Sequence, residues 1–358
     1  MNIRRVLVLC VTAAVIGSGS PALFAQAPPK VDKKEEEKRN KQQQEDVTAL
    51  VQLVDMVAAT PGSQSDDTQG EVAIKWDSNH FIKGQDGSTY VPFTLSIDRG
   101  SLASPNAAIY IRAVAKGAAP APAPAAPAND KDKKAPPARV IYPWDNAYFT
   151  NVKADGKMQR AMQLPGGEYD VFIAIKDRST GDKKQMPKMG LLRHSLRVPD
   201  FKKAELQTSS VMIGTIEPLD KPLSASEQQE NPYTFGVMKI VPALEPKLPK
   251  TGELSLIFWI YGAGIDPVTR KPNVTVEYSF YQKTGDAEKY FNKTAPQDLN
   301  AMTLPPDFDL AAGHQLPGSL GVPLMSFPAG DYRLEIKITD KASGKALTQN
   351  VTFTVNAA

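Results

Sequence analysis

Two segments of this chain, 163 residues apart, carry one pattern. Residues 164–182 read LPGGEYDVFIAIKDRSTGD and residues 327–345 read FPAGDYRLEIKITDKASGK, with seven of nineteen positions identical and no gap. At the same offset, Val91, Phe93, Leu95 and Ile97 fall on Leu254, Leu256, Phe258 and Ile260. Two distant segments sharing one offset point to duplication of a whole domain. In both copies apolar residues alternate with others, the period of a strand with one buried face. Gly, Pro and Asp clusters such as Asp86-Gly87, Arg99-Gly100 and Pro165-Gly166-Gly167 separate such runs. Short alternating strands between turn signals predict an all-β fold, here two tandem Ig-like (Greek-key) β-sandwiches. No strand–helix–strand alternation favours a parallel nucleotide-binding sheet.

The duplicated segment also predicts a local device. Gly, an acidic residue and Tyr at the start of a strand match the tyrosine corner of Greek-key sandwiches, where the hydroxyl bonds back to nearby backbone. Tyr169 and Tyr332 are therefore expected to be structural. Asp177 to Gly181 and Asp340 to Gly344 are read as hairpin turns, with Gly suited to positive φ.

The start of the chain predicts export. Arg4 and Arg5 precede the apolar run from Val6 to Gly17, and Ala25-Gln26-Ala27 offers a small-residue cleavage pattern. This is the layout of a Sec-type signal peptide over 1–27. The apolar run is shorter than the ~20 residues of a membrane span. No later segment reads as a span, so the mature chain is expected to carry no transmembrane segment and to be periplasmic or secreted. The single Cys10 lies in the signal, so disulfides, thiolate nucleophiles and Cys-ligated zinc are excluded from the mature chain. Leu9 before Cys10 is too bulky for a lipoprotein signal. The formal charge of +3 falls to +1 without Arg4 and Arg5, and the dense charge runs mix both signs, which argues against nucleic acid as a partner.

Composition divides the rest. Residues 28–46 are rich in Lys, Glu and Gln and read as a charged disordered tail. Val47, Leu50, Val51, Val54 and Val57 form the stripe of an amphipathic helix over 47–62, expected to dock on the first sandwich or, alternatively, to self-associate as a short coiled coil. Residues 68–201 read as sandwich 1, interrupted by a disordered Ala/Pro/Lys loop at 117–138. Residues 202–232 read as an inter-domain linker and 233–356 as sandwich 2.

The segments QLPGGEYDVFIAIKDRSTG, LRVPDF, LQTSSVMI and IYGAGIDPVTRKPNVTVEYSF together resemble the β-sandwich region of exported bacterial proteins that carry a GWxTD domain, and uncharacterised exported proteins with tandem Ig-like sandwiches. The GWxTD motif itself is absent. The resemblance implies architecture and carries no activity.

A search for chemistry nominates no catalytic residue, metal ligand or cofactor. His80, His194 and His314 stand far apart, outside any HExxH pattern. No GxSxG, P-loop or strand-linked GxGxxG occurs. Asp307 and Asp309 fall short of a calcium loop and are read as a polar turn. The N-x-T sequons at Asn273, Asn292 and Asn350 are read as chance matches in a bacterial-type chain. Aromatics offer the one ligand hypothesis: Trp144, with Tyr142, could stack on a sugar ring or anchor a partner. The expected function is a non-catalytic interaction or scaffold protein of the cell envelope, its partner an envelope protein or polysaccharide. The alternatives are a carbohydrate-binding protein using exposed aromatics and, behind it, an enzyme with an unrecognised site.

Overall fold

The computed structural model describes residues 33–59, 66, 68–84, 86–117, 121–122, 140–178, 186–285 and 287–357. The expected signal peptide and most of the Ala/Pro/Lys loop lie outside the described residues. The chain divides into two units between Asp200 and Phe201.

The first unit opens with helix α1 (Lys33–Ala58). Eleven strands follow, beginning with β1 (Thr68–Gly70), β2 (Ile74–Asn79), β3 (Ile82–Lys83), β4 (Thr89–Ile97) and β5 (Asn106–Ala115). Then come β6 (Ala121–Pro122), β7 (Val140–Ile141), β8 (Trp144–Asn151), β9 (Lys157–Leu164), β10 (Gly167–Asp177) and β11 (Met189–Val198). One sheet runs β1-β11-β10-β5-β8 and is antiparallel throughout. In the other, β4 is flanked by β2 and β3 and by β9. The alternating apolar residues of both sheets meet in one core, including Val91, Phe93, Leu95, Ile109, Ile111, Val171, Ile173 and Leu196. Outside this sandwich, the short β6 pairs with β7.

Helix α1 covers the outer face of the first sheet. Leu50, Val54 and Val57 bury against Ala108, Tyr110, Phe172, Ala174 and Leu191. Burial of each such side chain stabilises by about 1.5–3 kcal/mol. Ionic clamps flank this contact. Asp46 accepts from Lys176 Nζ at 2.7 Å and Arg178 Nε at 2.8 Å, and Asp55 pairs with Arg112 at 2.5 Å. The helix begins at Lys33, which corrects the disordered tail expected over 28–46 from residue 33 on; residues 28–32 lie outside the described residues. Glu35–Arg39 and Glu37–Lys41 stand four apart with the acid first, the spacing that supports a polar helix turn by turn. It ends at Ala58, and residues 60–62 of the expected helix lie outside the described residues.

The second unit contains β12 (Gln207–Thr208), β13 (Met212–Pro218), α2 (Ala225–Glu230), β14 (Thr234–Phe235), β15 (Met238–Pro242) and β16 (Lys247–Pro249). It continues with β17 (Glu253–Tyr261), β18 (Val274–Thr284), β19 (Ala287–Lys293), β20 (Gln297–Leu299), β21 (Leu316–Pro323), β22 (Gly330–Asp340) and β23 (Lys345–Asn356). One sheet runs β16-β23-β22-β18-β19, with β20 also on β18. Its β16–β23 pair is parallel, the others antiparallel. The facing sheet centres on β17, between β21 and the pair β12 and β13. Leu254, Leu256, Phe258 and Ile260 enter its core, the places that Val91, Phe93, Leu95 and Ile97 hold in the first.

The expected linker at 202–232 is instead part of this unit. Strands β12 and β13 pair with β17, and β13 continues into a ribbon with β15 and β14. Phe235 packs edge-on against Trp259 at 4.9 Å. Ile257 and Trp259 alternate out of the sandwich core yet are buried. An excursion that looks like a connection is therefore fold, and the unit starts well before 233.

Gly318 on β21 is demanded by packing, since a Cβ there would lie 2.2 Å from the Phe258 ring. Gly318→Ala should lower the stability of the second sandwich by about 1–3 kcal/mol through overpacking, measured by urea denaturation; an unchanged midpoint would contradict this packing.

Candidate functional site

The two tyrosines of the repeat do the same thing in each unit. Tyr169 donates its hydroxyl to the Pro165 carbonyl at 2.9 Å, and Tyr332 to the Pro328 carbonyl at 2.7 Å. Both rings are buried. Tyr332→Phe should cost about 1–2 kcal/mol, because the carbonyl loses its partner; a thermal melt indistinguishable from the parent would contradict it.

The duplication carries a second device that sequence reasoning read only as a turn. Asp340 is 0 % exposed and accepts from Gly264 N–H at 2.7 Å, Ala342 N–H at 3.0 Å and the Ser343 hydroxyl. Asp177, its repeat equivalent, is buried and accepts from Ala103 N–H at 2.7 Å. In each unit a buried carboxylate at the end of a central strand staples the preceding interstrand loop. The signal that could have found it was the identity of the two aspartates.

Trp144 and Tyr142 do not form a platform together. Trp144 is half-buried and packs against the sandwich core. Tyr142 lies with the Arg112 guanidinium 4.0 Å over its ring, and Arg112 faces α1 through Asp55. Arg112 Nε also donates to the Tyr110 hydroxyl at 2.9 Å, which donates to Asp145 at 3.0 Å. Burial pushes the Tyr110 hydroxyl up to about 12, so this network keeps its donors at any physiological pH.

The histidines stand apart. His194 contacts Asp66 and stacks on Trp76 at 4.3 Å, closing the sandwich edge between β2 and β11. His314 accepts from Asp309 N–H through Nδ1 at 3.0 Å. Asp309 in turn caps Ala311 N–H at 2.8 Å, a turn arrangement. Burial pushes the His80 imidazole down to about 4. The unfolded chain therefore binds a proton that the folded chain resists. Its contribution is present above pH ~6.5 and is lost as pH falls towards 4. Unfolding free energy should drop by up to about 2 kcal/mol between pH 7 and 4 in excess of that in His80→Gln; equal slopes in urea titrations would contradict this. Among the described residues, no three His, Cys, Asp or Glu side chains gather as a metal site would need, and no helix is long and apolar enough to cross a membrane.

One cluster resembles catalytic machinery. Lys157 Nζ lies 2.6 Å from Ser96 Oγ and 2.9 Å from Asp77, and Ser96 donates to Asp77 at 2.6 Å. The three groups stand on β9, β4 and β2, so the trio ties adjacent strands together.

The loop end of the second sandwich combines pinned backbone with exposed apolar side chains. Residues 262–273 join β17 to β18, residues 300–315 join β20 to β21, and 341–344 join β22 to β23. Lys271 Nζ donates to the carbonyls of Pro305, Pro306 and Phe308 at 3.0, 2.7 and 2.6 Å. Asp340 holds Gly264, and Lys341 N–H reaches the Asn273 carbonyl at 2.8 Å. Asp266 caps Val268 and Thr269 N–H, both at 2.9 Å. Leu304 and Phe308 anchor the long loop in the core. The pinned loops nonetheless present Val268 at 88 %, Met302 at 91 % and Ile265 at 43 % exposure.

No protein-family model and no curated protein match the chain. Solved structures similar to it include Salmonella alpha-2-macroglobulin reacted with methylamine, at 11 % identity and a TM-score of 0.21, covering 82 % of this chain and 17 % of that chain. The native conformation of E. coli alpha-2-macroglobulin gives 10 % identity, a TM-score of 0.19, and coverage of 83 % and 17 %. The chain spans about a sixth of the length of these proteins.

Proposed function

We propose that this chain is an exported, non-catalytic interaction or scaffold protein of the cell envelope, and that the loop end of its second sandwich is a protein-contact surface. The observation that carries this is the combination of rigidity and exposed apolar side chains. Lys271 spends its ammonium on three backbone carbonyls, so the loops need little ordering when a partner arrives. Val268 and Met302 gain nothing for folding from standing in water. On a pre-organised surface, such residues supply the buried centre of an interface.

The polar clusters elsewhere support the same reading, because each is committed to holding an element in place. The test uses the mature chain with α1 intact. Val268→Asp with Met302→Asp should leave the melting temperature within about 2 °C of the parent, since surface substitutions rarely cost more than ~0.5 kcal/mol. The same pair should abolish recovery of a protein partner from the native envelope fraction. A partner retained by the double variant would move the contact elsewhere on the molecule.

A further inference from the structure

The outer faces of the two equivalent sheets have diverged. Phe172 and Ala174 of β10 lie beneath α1, whereas the residues 163 positions on, Glu335 and Lys337 of β22, are polar. The second face carries a row of side chains crossing four strands. Tyr290 on β19 stands opposite Tyr281 on β18, which stands opposite Arg333 on β22, which stands opposite Thr352 on β23. Three interstrand spacings make this row about 14 Å long.

Its centre is built. The Arg333 guanidinium lies 4.2 Å over the Tyr281 ring and is held by Glu288 at 2.8 Å, Glu335 at 3.0 Å and Asn350 at 2.6 Å. Tyr290 meets Tyr281 edge-on at 5.9 Å and remains 51 % exposed. Lys337 pairs with Glu277 at 3.5 Å. These cations are matched by carboxylates on the same face, and beside them stand the exposed Thr348, Asn350 and Thr352.

We propose that this row binds a neutral polysaccharide lying across the strands. An aromatic ring offers an apolar face to the C–H surface of a sugar, and fixed amides, hydroxyls and carboxylates offer hydrogen bonds to its hydroxyls. Arg333, already matched by two carboxylates, offers an anion little net attraction. Arg333 is fixed in advance, so little order is lost on binding. This inference is independent of the protein contact at Val268.

The test is native affinity electrophoresis of the mature chain in gels containing mixed-linkage β-glucan, galactomannan or glycogen, with dextran sulfate as the anionic control, alongside sedimentation velocity. The proposal expects retardation by at least one neutral polysaccharide. Tyr290→Ala should weaken it at least tenfold, while Trp144→Ala and Val268→Asp leave it unchanged. Retardation by none of the three, or by dextran sulfate alone, would overturn it. So would full retardation of Tyr290→Ala. A concentration-dependent dimer abolished by Tyr290→Ala, without glycan retardation, would make the row a contact between two copies and would equally overturn it.

Discussion

Val54→Asp should detach α1 from the first sandwich. Val54 is 0 % exposed and centres the contact with Ala108, Tyr110, Phe172, Ala174 and Leu191. A carboxylate there would enter an apolar contact, so the helix must leave or the charge must be buried at high cost. The expected loss is roughly 4 kcal/mol or more of first-unit stability. Undocking also strands the Arg112 guanidinium, only 3 % exposed and paired to Asp55 on the helix. A detached polar helix is marginal in water, so far-UV ellipticity at 222 nm should fall while the sheet signal persists. Asp46→Ala removes only the partner of Lys176 and Arg178, and should cost less, about 1–3 kcal/mol. A Val54→Asp chain with undiminished helicity would show that the clamps alone hold α1.

The second large effect is expected at Asp340. Asp340→Ala leaves the Gly264 and Ala342 N–H groups and the Ser343 hydroxyl without their acceptor in a fully buried site. Each unsatisfied donor costs about 1–3 kcal/mol, so the second unit should lose roughly 3–5 kcal/mol. For a unit of this size that corresponds to a fall of about 10 °C in melting temperature. Asp340→Asn keeps one acceptor oxygen and should recover part of the loss. The staple reaches into 262–273, so the loop end that carries Val268 should also open, read as faster amide exchange there. A melt shifted by less than 3 °C would contradict the staple.

How much of this was legible follows from what each element depends on. Strands such as β4 and β17 were visible because alternation is a property of one segment, and the shared offset tied two such segments together. The tyrosine corners were visible because donor and acceptor lie four residues apart. Helix α1 was seen only where its stripe is apolar. Its first half, polar on every side, looked like a disordered tail because composition does not register i,i+4 pairing. Residues 202–232 looked like a linker because β12 and α2 are short and Pro218 and Pro222 interrupt the run. Their role depends on pairing with β17, some fifty positions away. Lys271 gave no signal at all, since its partners are backbone carbonyls, which every sequence contains. Trp144 drew notice as an aromatic beside a loop, but the register of β8 sends its ring to the core.

Photo-crosslinking tests whether the loop end of the second sandwich touches a protein partner. A benzophenone side chain would be placed at Val268, at Met302 or, as a control on the first unit, at exposed Met186, and irradiated in the native envelope. One adduct of the same mass is expected from 268 and 302, and none from 186. Adducts of equal yield at all three positions, or none from 268 and 302, would contradict it.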